Sequence, residues 1–116
     1  MAVRLDHVQL AIPPGGEDAA RGFYAGLLGM TEIDKPEQLR SAGGVWFAEA
    51  LHLGVEEPFA PARKAHPGLA VDDLDAVAER LAAAGHGVRW DERWPGVRRF
   101  HTHDPFGNRL ELIAHE

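Results

Sequence analysis

The 116-residue chain contains no cysteine. That excludes disulfides, thiol catalysis and thiolate-ligated metal within it. It also lacks an apolar run long enough to cross a bilayer as a helix, and Met1 opens no signal-peptide pattern. Basic excess is missing too. Twelve Lys and Arg stand against 18 Asp and Glu, for a net charge of −6, and the charges are scattered. No nucleic-acid or membrane partner is expected from that balance. These absences fit a cytoplasmic protein. Apolar content of 45% and charged content of 26% are ordinary for a globular chain, and the length suits one domain with a real core. What the chain does have is seven histidines, and their positions matter more than their number.

Val3 to Ile12 alternates, with Val8, Leu10 and Ile12 on one face and His7, Gln9 and Ala11 on the other, the pattern of a half-buried strand. A helix is expected from about Asp18 to Leu28. Its stripe is Ala20, Phe23, Tyr24, Leu27 and Leu28, with Gly29 as a left-handed C-cap. Met30 to Asp34 reads as a short strand and Lys35 to Gly44 as a loop. Val45–Phe47 and Ala50–Val55 read as two strands joined by a tight turn near Glu49. Glu56 to Pro67 carries three prolines and reads as a connector. The order then repeats. His66–Val71 is a strand, Asp72 or Asp73 caps a helix to about Ala84, and Gly85 ends it. Val88–Asp91, Val97–Thr102 and Arg109–Ala114 are three more strands. The last two are joined by Asp104-Pro105-Phe106-Gly107-Asn108, a turn built from residues that favour turn conformations.

Each half is therefore strand, helix, three strands, which we read as a duplicated βαβββ unit. One domain over residues 1–116 is expected, with a first module of about 1–56, a connector 57–65 and a second module of about 66–116. The fold class is α+β, two tandem modules whose curved mixed sheets enclose a cavity. From His7 to His66 is 59 residues, and from His52 to Glu111 is also 59.

His52 lies between Leu51 and Leu53, and Glu111 between Leu110 and Leu112. His7 and His66 lie opposite their strands' apolar sets. Four strands thus turn aliphatics one way and a ligand-type side chain the other. If the modules pack as a pair, these four can converge. Three imidazoles and a carboxylate suit Zn²⁺, Fe²⁺, Mn²⁺, Ni²⁺ or Co²⁺. His7, His66 and Glu111 alone form a two-histidine, one-carboxylate set with open positions. His52 is then a fourth ligand or a base beside the metal.

At these residues the chain resembles the vicinal oxygen chelate superfamily of glyoxalase I, bleomycin- and fosfomycin-resistance proteins, extradiol dioxygenases and methylmalonyl-CoA epimerase. The resemblance rests on Leu5-Asp6-His7-Val8, on Phe23-Tyr24-Ala25-Gly26-Leu27-Leu28-Gly29-Met30, on His66 through Asp72-Asp73-Leu74-Asp75, and on Asp104 through Leu112. It implies a glyoxalase-like fold, metal ligation at His7, His66 and Glu111, and frequent pairing of modules across a homodimer. At the position of His52 it implies a glutamate in glyoxalase I, a departure here. A metal-dependent enzyme on a small oxygen-rich substrate follows, with isomerase, epimerase or lyase proton transfer favoured over ring-opening dioxygenation. The alternative is a non-catalytic binding protein of the bleomycin-resistance kind.

Beside that set, His101 and His103 share a strand parity and are candidate acid/base groups, as is His52. One of the two could instead cap the turn. His86 follows a helix C-terminus, where the dipole favours a cation. His115 is expected to be terminal and mobile. Of Arg98 and Arg99, one is expected to point inward from an otherwise charged surface. Trp46, Phe47, Trp90, Trp94 and Phe100 are expected mostly in the core.

Overall fold

The computed structural model describes residues 1–115 and divides the chain into two compact units, Met1–Pro61 and the residues from Ala62 onward. Each unit holds one curved four-stranded mixed sheet.

The first unit runs β1 (Val8–Ile12), α1 (Glu17–Ala20), β2 (Glu32–Ile33), β3 (Val45–Phe47) and β4 (Leu51–Val55), in sheet order β1-β4-β3-β2. β1 lies parallel to β4, and the other pairs are antiparallel. The expected helix forms but changes character. After Ala20 it continues as a π-helical segment, Arg21–Leu27, in which Leu28 N–H bonds the Phe23 carbonyl five residues back. Its stripe still packs: Ala20, Phe23 and Tyr24 are buried, and Tyr24 meets Phe47 with ring centroids 5.7 Å apart. The expected loop contains a 3₁₀ helix, Glu37–Ala42. β1 begins at Val8 rather than Val3. Val3 and Leu5 are 100% and 77% exposed, so alternation there meets no sheet neighbour among the described residues.

The second unit repeats the plan with β5 (Gly68–Ala70), α2 (Leu74–Ala83), β6 (Arg89–Trp90), β7 (Val97–His103) and β8 (Arg109–His115), in order β5-β8-β7-β6. Asp73 caps α2 by accepting from Ala76 N–H at 3.1 Å, and Leu74, Val77, Ala78 and Leu81 bury its inner face. Gly29 and Gly85 both take positive φ, +75° and +88°, at the two helix ends, a backbone conformation that L side chains rarely adopt.

The duplication is visible in the register. Gln9 opposes His52 across β1 and β4, and Gly68 opposes Glu111 across β5 and β8. Leu10 opposes Leu53 as Leu69 opposes Leu112. Each pairing is displaced by the same 59 residues that separate His7 from His66. Leu51, Leu53, Leu110 and Leu112 are at most 1% exposed, so the aliphatic face of both strands is core.

Aromatic placement differs from expectation. Phe47 and Phe100 are core and Trp46 is half-buried, but Trp90 and Trp94 are 42% and 47% exposed. Trp90 lies on the two-residue edge strand β6 and Trp94 follows it, so neither has a covering layer; Arg98 and Arg99 stack over them instead. His115 is the last residue of β8, its ring set edge-on to Trp94 with centroids 5.8 Å apart, rather than a loose end. No helix among the described residues is long and apolar enough to cross a membrane.

Candidate metal centre and its relatives

The turn Asp104–Asn108 builds the second unit's site. Asp104 Oδ1 accepts from the N–H groups of Phe106 and Asn108, both at 2.9 Å, and its Oδ2 accepts from Asn108 Nδ2. Asn108 is fully buried and turns its own Oδ1 to Ala62 N–H at 2.9 Å. Arg109 N–H then bonds the Ala62 carbonyl, and Glu111 N–H bonds the Pro67 carbonyl. The segment carrying His66 is thereby fastened along β8, opposite Glu111.

His66 Nδ1 donates to the Lys64 carbonyl at 2.9 Å, which fixes the ring and aims Nε2 at Glu111 Oε1, 3.0 Å away. A carbonyl and a carboxylate both only accept. The ring therefore satisfies both with two N–H groups, or with a cation shared between Nε2 and the carboxylate. Anchoring one ring nitrogen on a carbonyl is how ligating histidines are oriented. His101, on β7 directly opposite Glu111, brings its Nε2 to 3.4 Å from the same Oε1. One nitrogen or oxygen from each of His66, His101 and Glu111 lies within 4.8 Å of the others. This two-histidine, one-carboxylate set fits a borderline divalent ion.

Arg99 holds the other side of the carboxylate, with Nη1 3.3 Å from Glu111 Oε2 and Nη2 3.2 Å from Asp91 Oδ2. Arg93 grips Asp91 as well, at 2.6 Å and 2.8 Å. Of the two neighbouring arginines, Arg99 is thus the inward one, while Arg98 pairs with Asp75 of α2. Burial raises the Glu111 pKa, but the hydrogen bonds from His66 and Arg99 outweigh it and hold the carboxyl below its usual value. Burial, with Arg109 nearby, pushes the His101 imidazole down. The Arg93 guanidinium holds Asp91 far below the ordinary carboxylate range.

The first unit uses the same positions differently. His7 Nδ1 is held by Asp6 Oδ1 at 2.7 Å. Its ring stacks on His52, with centroids 4.1 Å apart and planes 17° apart, and His52 stacks on Trp46 at 3.9 Å. Burial, then His7, lowers the His52 basicity. An imidazole offers its lone pair in the ring plane. In two nearly parallel planes about 4 Å apart the lone pairs of His7 and His52 run side by side rather than toward one point.

The structure thus brings the expected ligands His66 and Glu111 together and sets His101, expected as an acid/base group, beside them. His103 is exposed and lines a cleft with Arg109, its partner in the register. His86 donates from Nδ1 to the His103 carbonyl at 3.2 Å, a structural tie. The Asp91–Arg93–Arg99 network was missed; its only sequence signal was an acid and a base on neighbouring alternating strands.

The model for the Glyoxalase/Bleomycin resistance protein/Dioxygenase superfamily matches residues 4–112, and the chain belongs to that superfamily. Its structure is similar to a protein from Bacillus anthracis described as a glyoxalase family member, at 43% identity and TM-score 0.94, covering 100% of this chain and 98% of that one. It shares its fold with FosX, a fosfomycin resistance protein from Listeria monocytogenes solved with Mn(II) and 1S,2S-dihydroxypropylphosphonic acid. There the identity is 19%, TM-score 0.79, coverage 100% and 95%. The antibiotic binding protein TnmS3 from Streptomyces sp. CB03234 is similar at 23% identity and TM-score 0.69, covering 100% and 99%. No curated protein matches the chain.

Proposed function

We propose that the chain is a metal-dependent enzyme that moves a proton on a small oxygen-rich molecule, in an isomerase, epimerase or lyase type of reaction. The observation that supports this is Glu111 Oε1 meeting both His66 Nε2 and His101 Nε2, with His66 pre-oriented by Lys64. His66, His101 and Glu111 would hold the ion, which is Zn, Fe, Mn, Ni or Co. When bound, the ion supplies Lewis-acid stabilisation of charge developing on neighbouring substrate oxygens.

The chain's own groups do the rest. His52 is a candidate proton carrier, because burial lowers the basicity of its ring and that ring stacks on His7. His103, in the cleft, is the second candidate. Arg99 keeps Glu111 ionised for ligation. A homodimer that joins modules of two copies is part of this proposal. Exposed Val3 and Leu5, at the start of a strand-like alternation, support it by leaving apolar surface to cover.

The test is elemental analysis and metal titration of untagged protein. About one ion per chain is expected, lost in Glu111→Ala and in His66→Ala, with the loaded protein then screened on isomerase substrates. Metal-free protein after incubation with Fe²⁺, Mn²⁺, Ni²⁺ and Zn²⁺ would sink the reading. One observation favours a second reading, a binding protein without catalysis: the stack of half-buried Trp46 and His52 with exposed His7 offers an aromatic surface for a flat ligand. That reading expects ligand affinity unchanged by chelator.

A further inference from the structure

The second unit carries a cleft of about 760 Å³, within the range of small-ligand sites. Its lining includes His101 and His103 and is dominated by arginine: Arg63, Arg89, Arg93 and Arg109 against two acids, Asp91 and Glu92. In a chain of net charge −6 this is a local inversion. The pairing pattern sharpens it. Asp91 is consumed by Arg93 and Arg99. Arg63, Arg89 and Arg109 have no ion-pair or hydrogen-bond partner for their side chains among the described residues.

The three differ in their setting. Arg109 is half-buried on β8, two residues from Glu111 on the same face, and its charge reaches His101. Arg89 opposes His101 across β6 and β7. Arg63 sits on the segment fastened to β8 through Ala62. A half-buried guanidinium with no counter-charge has given up part of its hydration without compensation, a cost a bound anion would offset.

We propose that this cleft binds the anionic group of the substrate, a carboxylate or a phosphoryl-type oxyanion, with Arg109 as the anchor and Arg89 and Arg63 closing on it. The anion would place the rest of the molecule at His101, the residue that belongs both to the cleft and to the His66–Glu111 group. Guanidinium forks match planar and tetrahedral oxyanions through paired N–H donors. A polyanion such as RNA is disfavoured, because the acids outside the cleft would repel an extended phosphate chain. This names the substrate class of the enzyme proposed above and rests on that reading.

The test is titration of inorganic phosphate and of malonate into the full chain at low salt with EDTA present, followed by amide NMR. Saturable shifts are expected at residues 87–93, 101–103 and 109. Arg109→Gln should weaken the binding about 10-fold, the worth of a charge-assisted hydrogen bond. Arg89→Gln, on an exposed edge strand where the fold is not at stake, should weaken it several-fold, and Arg40→Gln in the first unit should change nothing. No saturable binding, binding indifferent to both cleft variants, or tighter binding of a short RNA than of either small anion would overturn the proposal. Chelator keeps the two readings apart. Anion binding by a chain that takes up no metal would refute only the enzyme mechanism, and metal uptake without anion binding would refute only this inference.

Discussion

The two units share a strand order and a register yet hold opposite kinds of chemistry at the same places. Glu111 stands where the first unit has His52, His66 stands where it has His7, and His101 stands where it has Trp46. In the second unit these three gather nitrogen and oxygen donors around one carboxylate oxygen. In the first they form a column of parallel rings. The aliphatic faces behind both sets are alike. The scaffold is therefore set by the strand's core-facing residues, and the chemistry by the other parity, which can change without disturbing the core.

The largest effect expected tests the shared half of that comparison. Leu53 and Leu112 occupy equivalent positions and are both 0% exposed. Leu53→Ala and Leu112→Ala should each cost about 3 kcal/mol, combining lost burial with a cavity. Urea unfolding followed by backbone NMR should show the loss in the unit that carries the change. A cost below about 1 kcal/mol at either position would mean that the two cores are not equivalent.

The next breaks the comparison on its polar side. His101→Ala should weaken metal binding about 10- to 100-fold, the usual range for a group that ligates or orients a ligand. Trp46→Ala, at the matching position, should leave metal affinity within about 2-fold and alter the near-UV circular dichroism. Equal losses from both would show that the ring column serves the metal too.

How much of this was legible beforehand follows from which interactions are local. The 59-residue displacement, the α2 cap at Asp73 and the Asp104–Asn108 turn all depend on neighbours in sequence or on period-2 alternation, and they appear as expected. His66 and Glu111 follow from the repeat. The inward turn of His101 does not, because parity alone left His101 and His103 equivalent. The strand's depth in the sheet separates them, 9% exposed for one and an exposed cleft wall for the other. The tryptophans were misplaced for a related reason: size suggested burial, but a two-residue edge strand has nothing to cover them. The π segment depends on how Phe23 and Tyr24 seat on the sheet, which helical periodicity does not encode.

A third expectation concerns acid. Asp91 has its pKa depressed by Arg93 and Arg99 in the second unit, and no comparable carboxylate pinned by two arginines is found among the described residues of the first. Since the folded-state value lies below the unfolded one, the stability it contributes is fully present above about pH 4 and is lost as pH falls through that region. Asp91→Asn should therefore flatten the pH dependence of unfolding below about pH 4 and lower stability at neutral pH. An unchanged acid limb in chemical-denaturation series from pH 2 to 7 would remove the network from the account.

The smallest effect lies in the β3–β4 and β7–β8 hairpin turns, which differ in length. The second unit spends five residues, with Gly107 at φ +94° taking the left-handed position. The first turns tightly between β3 and β4 and puts Ala50 there, at φ +66°. An alanine in that region pays for a Cβ close to the following carbonyl, a cost glycine avoids, although glycine also loses more freedom on folding. The balance favours Ala50→Gly by about 0.5–1 kcal/mol, a small gain in Tm. Gly107→Ala should lose at least as much, because the Asp104 and Asn108 hydrogen bonds hold that turn in one shape. If both substitutions destabilise, Ala50 is held by packing rather than strained, and the shorter turn is as well adapted to its sheet as the longer one.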